Sequence, residues 1–212
     1  GTPAALPTSG RSSPPATSPT ATGPSASTGE PSGVIAFVRA AGSERAQLVT
    51  VEAGSGSTGA LTEPGEPWGW PAWSPDGSQI AFRSDREGGG LFIMGATGES
   101  ARRLTDFGYN PAWSPDGRFL AFATDGVAGP YVRQPSSQLW VVDVATGAKR
   151  QVSAGDAVQP SWSPHSRRLA YWGVPKGSAR RILWTVPVAG GEPVQVTADE
   201  HVNWNPVWSP DG

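Results

Sequence analysis

Side chains able to do acid–base, metal or nucleophilic chemistry are few and scattered in this chain. Its two histidines, His165 and His201, show no His-Glu-x-x-His spacing and no nearby ligand partner, so a zinc site has nothing to build on. Cysteine is absent, which removes thiolate ligands, a thiol nucleophile and disulfides together. Gly54-Ser55-Gly56-Ser57-Thr58-Gly59 has the glycine spacing of a dinucleotide loop. Residues 60–67 after it hold two prolines and no helical pattern. A phosphate would meet no helix N-terminus there, and the segment reads as a hairpin loop. No Gly-x-Ser-x-Gly elbow occurs, and such an elbow needs a strand-to-helix turn. The expectation is no catalytic residue, no metal and no cofactor in these 212 residues.

What must position any functional residue is a repeat. Pro71-Ala72-Trp73-Ser74-Pro75-Asp76-Gly77 returns as Pro111 to Gly117, as Pro160 to Ser166 with His165-Ser166 at its end, and as Pro206 to Gly212. The tryptophans are 40, 49 and 46 residues apart, a period that suits one four-stranded propeller blade. Ser, Pro, Asp and Gly in that order are the residues a type I turn with a following bulge selects. In the third copy His165 and Ser166 replace Asp and Gly, so a residue with a Cβ takes the left-handed position or the turn changes type, and local strain is expected there. After each complete turn comes a large-Ala-large triplet: Ile80-Ala81-Phe82, Leu120-Ala121-Phe122 and Leu169-Ala170-Tyr171, with Ile35-Ala36-Phe37 earlier. A strand with no polar face is buried on both sides, as when sheets stack. The large face of one blade should pack on the alanine face of its neighbour.

Each repeat then reads as four strands. The inner one carries Trp, with a proline two places earlier that a strand tolerates beside an unpaired edge. The second carries the triplet. Third strands read Gln47–Val51, Leu91–Met94, Gln138–Val142 and Ile182–Val186. Outer strands close at Leu61-Thr62, Leu104-Thr105, Val152-Ser153 and Val196-Thr197, with Arg102, Arg103, Lys149 and Arg150 as charges that discourage edge pairing. No segment has helical periodicity with caps. Asp85 and Asp125 each stand 12 residues after their tryptophan, and they read as turn carboxylates, not an acid–base pair. The expected fold class is all-β: a β-propeller of four-stranded antiparallel blades, about four of them, forming part of a larger propeller. Blade limits fall near 33–65, 66–108, 109–156 and 157–200, and a further blade starts at 201–212. A closed alternative has residues 204–209 supply the first blade's inner strand and seal a four-bladed ring.

The Trp-Ser-Pro-Asp-Gly turn, the Ile-Ala-Phe strand and the closing Leu-Thr resemble the WD40-like propeller unit of TolB and its relatives, over residues 33–212. The resemblance implies a propeller found in extracytoplasmic bacterial proteins and in the non-catalytic half of dipeptidyl- and acylaminoacyl-peptidases. Two departures stand out. Glu30-Pro31-Ser32-Gly33 replaces the first Trp phrase, and residues 1–32 contain no counterpart of the domain that precedes the propeller in TolB.

Those first 32 residues are a different material. All but Leu6, Arg11 and Glu30 are Pro, Ser, Thr, Ala or Gly, too little apolar surface to offset chain entropy, so a disordered linker is expected. Such linkers often follow a membrane anchor, and contact with a membrane is expected only through an anchor upstream of residue 1. The net charge of −2 with scattered arginines argues against a nucleic-acid partner.

Antiparallel order gathers the inter-blade connections and the second-to-third-strand loops on one face. That face collects Trp68, Trp70, Arg86, Phe107, Tyr109, Asn110, Tyr131, Arg133, Gln159, Lys176, Arg180, His201, Trp204 and Asn205. Aromatic and arginine anchors ringed by amides are the composition of recognition surfaces. The alternative reading is that Trp68, Trp70 and Trp204 lid the hydrophobic seams between blades. The leading expectation is a non-catalytic, extracytoplasmic binding module for a protein or cell-envelope ligand. The alternatives are the propeller of a prolyl-oligopeptidase-type serine peptidase, its hydrolase domain elsewhere, and the ectodomain of a membrane-anchored sensor.

Overall fold

The computed structural model describes residues 33–40, 46–65, 67–126, 136–199 and 201–212, with backbone alone at Pro67 and Trp68. Among the described residues the regular structure is β-strand except for one 3-10 turn, Arg86–Gly88. β1 (Val34–Ala40), β2 (Ala46–Glu52) and β3 (Thr58–Ala60) form a three-stranded sheet. Three four-stranded antiparallel sheets follow. They are β4 (Pro67–Trp73) to β7 (Arg102–Arg103) through β5 (Gln79–Ser84) and β6 (Gly90–Gly95); β8 (Tyr109–Trp113) to β11 (Lys149–Ser153) through β9 (Phe119–Ala123) and β10 (Leu139–Asp143); and β12 (Val158–Trp162) to β15 (Val194–Gln195) through β13 (Arg168–Gly173) and β14 (Ile182–Pro187). Strand order follows chain order in every sheet, as the up-and-down blade requires.

The triplets do what their alternation implies. Ala36 of the first blade packs with Ile80, Phe82 and Trp73 of the second. Ala81 of the second packs with Leu120, Phe122 and Trp113 of the third, and Ala121 of the third with Leu169, Tyr171 and Trp162 of the fourth. Large side chains therefore face the preceding blade and alanines the following one. Each buried Leu, Ile or Phe in these seams contributes about 1.5–3 kcal/mol relative to exposure.

In three of the four blades the threonine that follows the outer strand has a definite task. Thr62, Thr105 and Thr197 accept the backbone N–H groups of Leu48, Leu91 and Leu183 at 3.0, 3.1 and 3.1 Å, satisfying the start of the third strand beyond the ladder. The basic residues at the outer edge also bridge outward: Arg102 donates to the Val144 carbonyl of the next blade at 2.8 Å.

In the turns, the N–H of Gly77, Gly117, Ser166 and Gly212 donates to the carbonyl of the serine three residues before it. The serine hydroxyl accepts from the strand beyond, as at Gln79 N, Phe119 N and Arg168 N. In the first complete turn Ser74 Oγ also donates to Asp76 at 2.6 Å. That hydroxyl, with the Ser78 amide, holds the Asp76 carboxyl down at about 2. Ser166 adopts φ 55° where Gly77 and Gly117 have φ 70°, so a side chain sits in the left-handed region as the sequence implies. Ser166→Gly should therefore raise stability by about 1 kcal/mol, a gain of roughly 2–4 °C for a domain of this size by calorimetry; an unchanged or lower midpoint would contradict the strain.

Two expectations about the ends need correction. Residues 201–212 form no strand, although Trp208 docks on the fourth blade through its indole N–H to the Ser161 carbonyl at 3.2 Å. Residues 204–209 do not seal a four-bladed ring either, because β1 is an edge strand paired to β2 alone among the described residues.

Candidate functional site

Strands β4, β8 and β12, with residues 205–207, line a cavity of about 530 Å³. Its wall repeats blade by blade as Trp70-Pro71, Asn110-Pro111, Gln159-Pro160 and Asn205-Pro206, backed by Trp113 and Trp162, and none of the described residues that line it is charged.

The residue before each of these prolines has positive φ: 53° at Trp70, 52° at Asn110, 52° at Gln159 and 47° at Asn205. A residue preceding proline ordinarily lies in the extended region, and for a bulky residue such as tryptophan the left-handed region is an outlier. The cause is a bulge. Pairing skips from Gly69 to Ala72, from Tyr109 to Ala112 and from Val158 to Ser161, leaving the proline, which has no N–H to give, out of the ladder. The strain, of order 1–3 kcal/mol per residue, is held by the seams on either side. Asparagine before proline at two of the four places was the available sequence signal, since asparagine tolerates this conformation.

The Asn110 Oδ1 atom is buried without a hydrogen-bond partner among the described residues, whereas Gln159 Oε1 accepts the Trp172 indole N–H. Tyr109 lies under the Arg83 guanidinium (4.9 Å to the ring centre) and meets Trp70 edge to face at 5.6 Å. Arg83 is buried, bonded to the Gly90 carbonyl and paired with Asp85 at 2.5 Å. Neither Arg83 nor this role for Asp85 was singled out in the sequence, because a lone strand arginine carries no pattern.

The other sequence candidates separate. Phe107 belongs to a seam, edge to face with Phe122 and Trp140, and Arg86 lies 4.5 Å from the Phe92 ring centre. Trp204 is 42% exposed beneath Arg181. Arg180 and His201 are exposed and Lys176 lines a separate groove beside Tyr171, whose phenol burial pushes upward in pKa. Trp68 contributes backbone to β4, and Tyr131 and Arg133 lie outside the described residues. The structure thus brings Trp70, Asn110, Gln159 and Asn205 together, with Tyr109 supporting them, and of the other candidates with described side chains it places Phe107, Arg86, Lys176, Arg180, His201 and Trp204 elsewhere. Chemically, an uncharged wall of indoles, prolines and amides can hold a ligand.

Stacked four-stranded sheets with inner strands lining a common cavity define a β-propeller. No protein-family model matches the chain. It is similar to the putative TolB of Agrobacterium tumefaciens (TM-score 0.66, 21% identity, covering 86% of this chain and 68% of that one). It is also similar to a puromycin-hydrolyzing peptidase of Mycobacterium tuberculosis (TM-score 0.57, 22% identity, 79% and 29%). The fold is therefore the TolB-type propeller that peptidases also carry. In sequence it is 34% identical over 149 residues to a Bacillus subtilis (strain 168) protein named Uncharacterized peptidase YuxL, which covers 67% of this chain. The chain spans one fifth, 20%, of that relative's length.

Proposed function

We propose that these residues form a non-catalytic, extracytoplasmic binding module whose ligand site is the cavity along the inner strands. The observation that carries this reading is the uncharged cavity wall with four strained residues in register and an acceptor, Asn110 Oδ1, that has no donor. Strain kept at equivalent positions points to a role, and a buried acceptor is completed by a ligand N–H or O–H. Burying an unpaired charge against such a wall is costly, so the ligand segment is uncharged where it enters, as an extended peptide with polar main chain and small side chains would be. Similarity to TolB and the Ser/Thr/Pro-rich residues 1–32 support a location outside the cytoplasm.

The test is capture. Immobilised protein should retain a partner from cell-envelope extract, and Asn110→Gly with Asn205→Gly should reduce retention at least tenfold while the melting profile stays near wild type. Glycine keeps the left-handed backbone and deletes only the amide. Equal retention by the variant would refute this site.

The peptidase relative supports a second reading, in which the propeller accompanies a serine hydrolase domain and its cavity admits substrate. A Gly-x-Ser-x-Gly motif encoded beyond Gly212 would favour it; further Trp-Ser-Pro-Asp-Gly units followed by a stop favour the binder.

A further inference from the structure

Three indoles donate to the main chain across a seam: Trp113 to the Ala72 carbonyl at 3.0 Å, Trp162 to Ala112 at 2.9 Å and Trp208 to Ser161 at 3.2 Å. Trp172 breaks the pattern. Its indole N–H donates to a side chain of its own blade, Gln159 Oε1, and the ring is fully buried with the Arg181 guanidinium 5.2 Å from its centre. The register explains why this amide is held and Asn110 is not. The second strand sets Arg83 opposite Gly69, Ala123 opposite Tyr109 and Trp172 opposite Val158, the residues just before Trp70, Asn110 and Gln159 in the cavity wall. In the third blade that place is filled by a methyl group, which has no hydrogen to give, and Asn110 Oδ1 stays buried without a partner among the described residues. In the fourth it is filled by an indole.

An indole nitrogen can donate and cannot accept, whereas a carboxamide carries an accepting oxygen at one end and a donating NH2 at the other. The bonding partner decides which end points where. With its oxygen committed to Trp172, Gln159 can offer the cavity only its Nε2 hydrogens. Asn110 keeps an oxygen to offer. The third and fourth blades thus present one acceptor and one donor, on a wall whose described lining residues carry no charge. We propose that Trp172 is a positioning residue that fixes this polarity, so that the site selects one residue of an extended peptide, taking its N–H on Asn110 Oδ1 and its C=O on Gln159 Nε2. Each residue of an extended chain turns those two groups to the same side, as the paired bonds of an antiparallel ladder require. This assignment rests on the cavity being the ligand site. It adds the group recognised, the way round that it lies, and the buried side chain that sets both.

Acetyl-alanine dimethylamide is the probe, because its one N–H and the C=O of the same residue face one way, and its tertiary amide favours the extended conformation as a following proline does. Titrated into the full chain and followed by NMR, it should bind about tenfold more tightly than O-acetyl-lactic acid dimethylamide, in which an oxygen replaces that N–H and leaves Asn110 Oδ1 unsatisfied. Gln159→Glu should weaken binding of the amide about tenfold more than Asn110→Asp does, because Glu has no N–H to give and Asp keeps the accepting oxygen. The two variants gain the same charge in the same wall, so each controls for the other. Trp172→Phe should weaken the probe in a protein with Gln159 and have no further effect in Gln159→Gly, which has no amide to orient. Without any ligand, the Trp172 indole N–H, assigned by its loss in Trp172→Phe, should exchange about tenfold faster in Gln159→Gly than in Gln159→Glu, which retains the oxygen. Equal affinity for amide and ester, equal loss in the two charged variants, equal exchange, or a Trp172→Phe effect that persists in Gln159→Gly would each overturn the assignment. So would a wild type that does not bind the amide. In that case, retention of an envelope partner by wild type and its loss in Asn110→Gly with Asn205→Gly would leave the cavity reading standing without this polarity.

Discussion

Phe122→Ala should lower the thermal midpoint of this protein by roughly 6–20 °C, from a loss of about 3–5 kcal/mol for a buried phenylalanine at roughly 2–4 °C per kcal/mol for a domain of this size. Phe122 is fully buried in the seam between the second and third blades, with Ala81, Leu91 and Leu120 around it and Phe107 edge to face at 5.5 Å. Three features leave the cavity unable to collapse. Ala81 on the opposite blade is already small, the β5 and β9 backbones are held by ladders on both sides, and Phe107 is fixed in turn against Trp140. The loss is therefore expected near the upper part of the range. Since a whole domain is stable by only about 5–15 kcal/mol, a midpoint within 2 °C of wild type by calorimetry or circular dichroism would show that the seams are looser than described.

Gly173→Ala is expected to be the second large effect, about 1–3 kcal/mol or more for an atom forced into filled space. Gly173 ends β13, and a Cβ there would fall well inside 3.0 Å of the Asp156 carbonyl oxygen. What blocks it is backbone, and that backbone is pinned: Asp156 accepts the N–H groups of Ser137 at 3.1 Å and Val174 at 2.8 Å. Relief would break the tie between the third blade's exit and the end of β13. Gly155→Ala, immediately before the pinned Asp156 and with open space where its Cβ would stand, is the control and should be neutral or slightly stabilising. Urea titrations that give both variants the same midpoint would refute the close approach. The same arrangement occurs at Gly90, where the Thr105 carbonyl crosses, so the connection leaving a blade repeatedly presses on a glycine of a strand end.

The two substitutions also separate what was legible in the sequence from what was not. The place of Phe122 in a seam follows from the Leu-Ala-Phe triplet alone, because a large-small-large strand with no polar face can only lie between two sheets. The clash at Gly173 does not follow, because Asp156 is seventeen residues away and nothing local marks their approach. The candidate site divides in the same way. Trp70, Asn110, Gln159 and Asn205 could be picked out as the residues before a recurring proline. Their left-handed backbone could not, since the usual rule for a residue before proline points the other way and is overruled by a bulge that takes two strands to define. Phe107 and Arg86 looked like recognition anchors by composition and turned out to be packed on Phe122 and Phe92, because an exposed-looking loop aromatic becomes core only when a neighbouring blade closes over it.

Blade period, strand order within a blade, turn type and the packing sense of the seams were determined by the sequence by itself, since each depends on residues close in the chain. Tertiary structure alone decided which loop residues converge on one cavity, which carbonyl each indole reaches and which strand edge stays open. Those outcomes depend on distances between groups about forty residues apart, which are set only when one sheet is laid against the next.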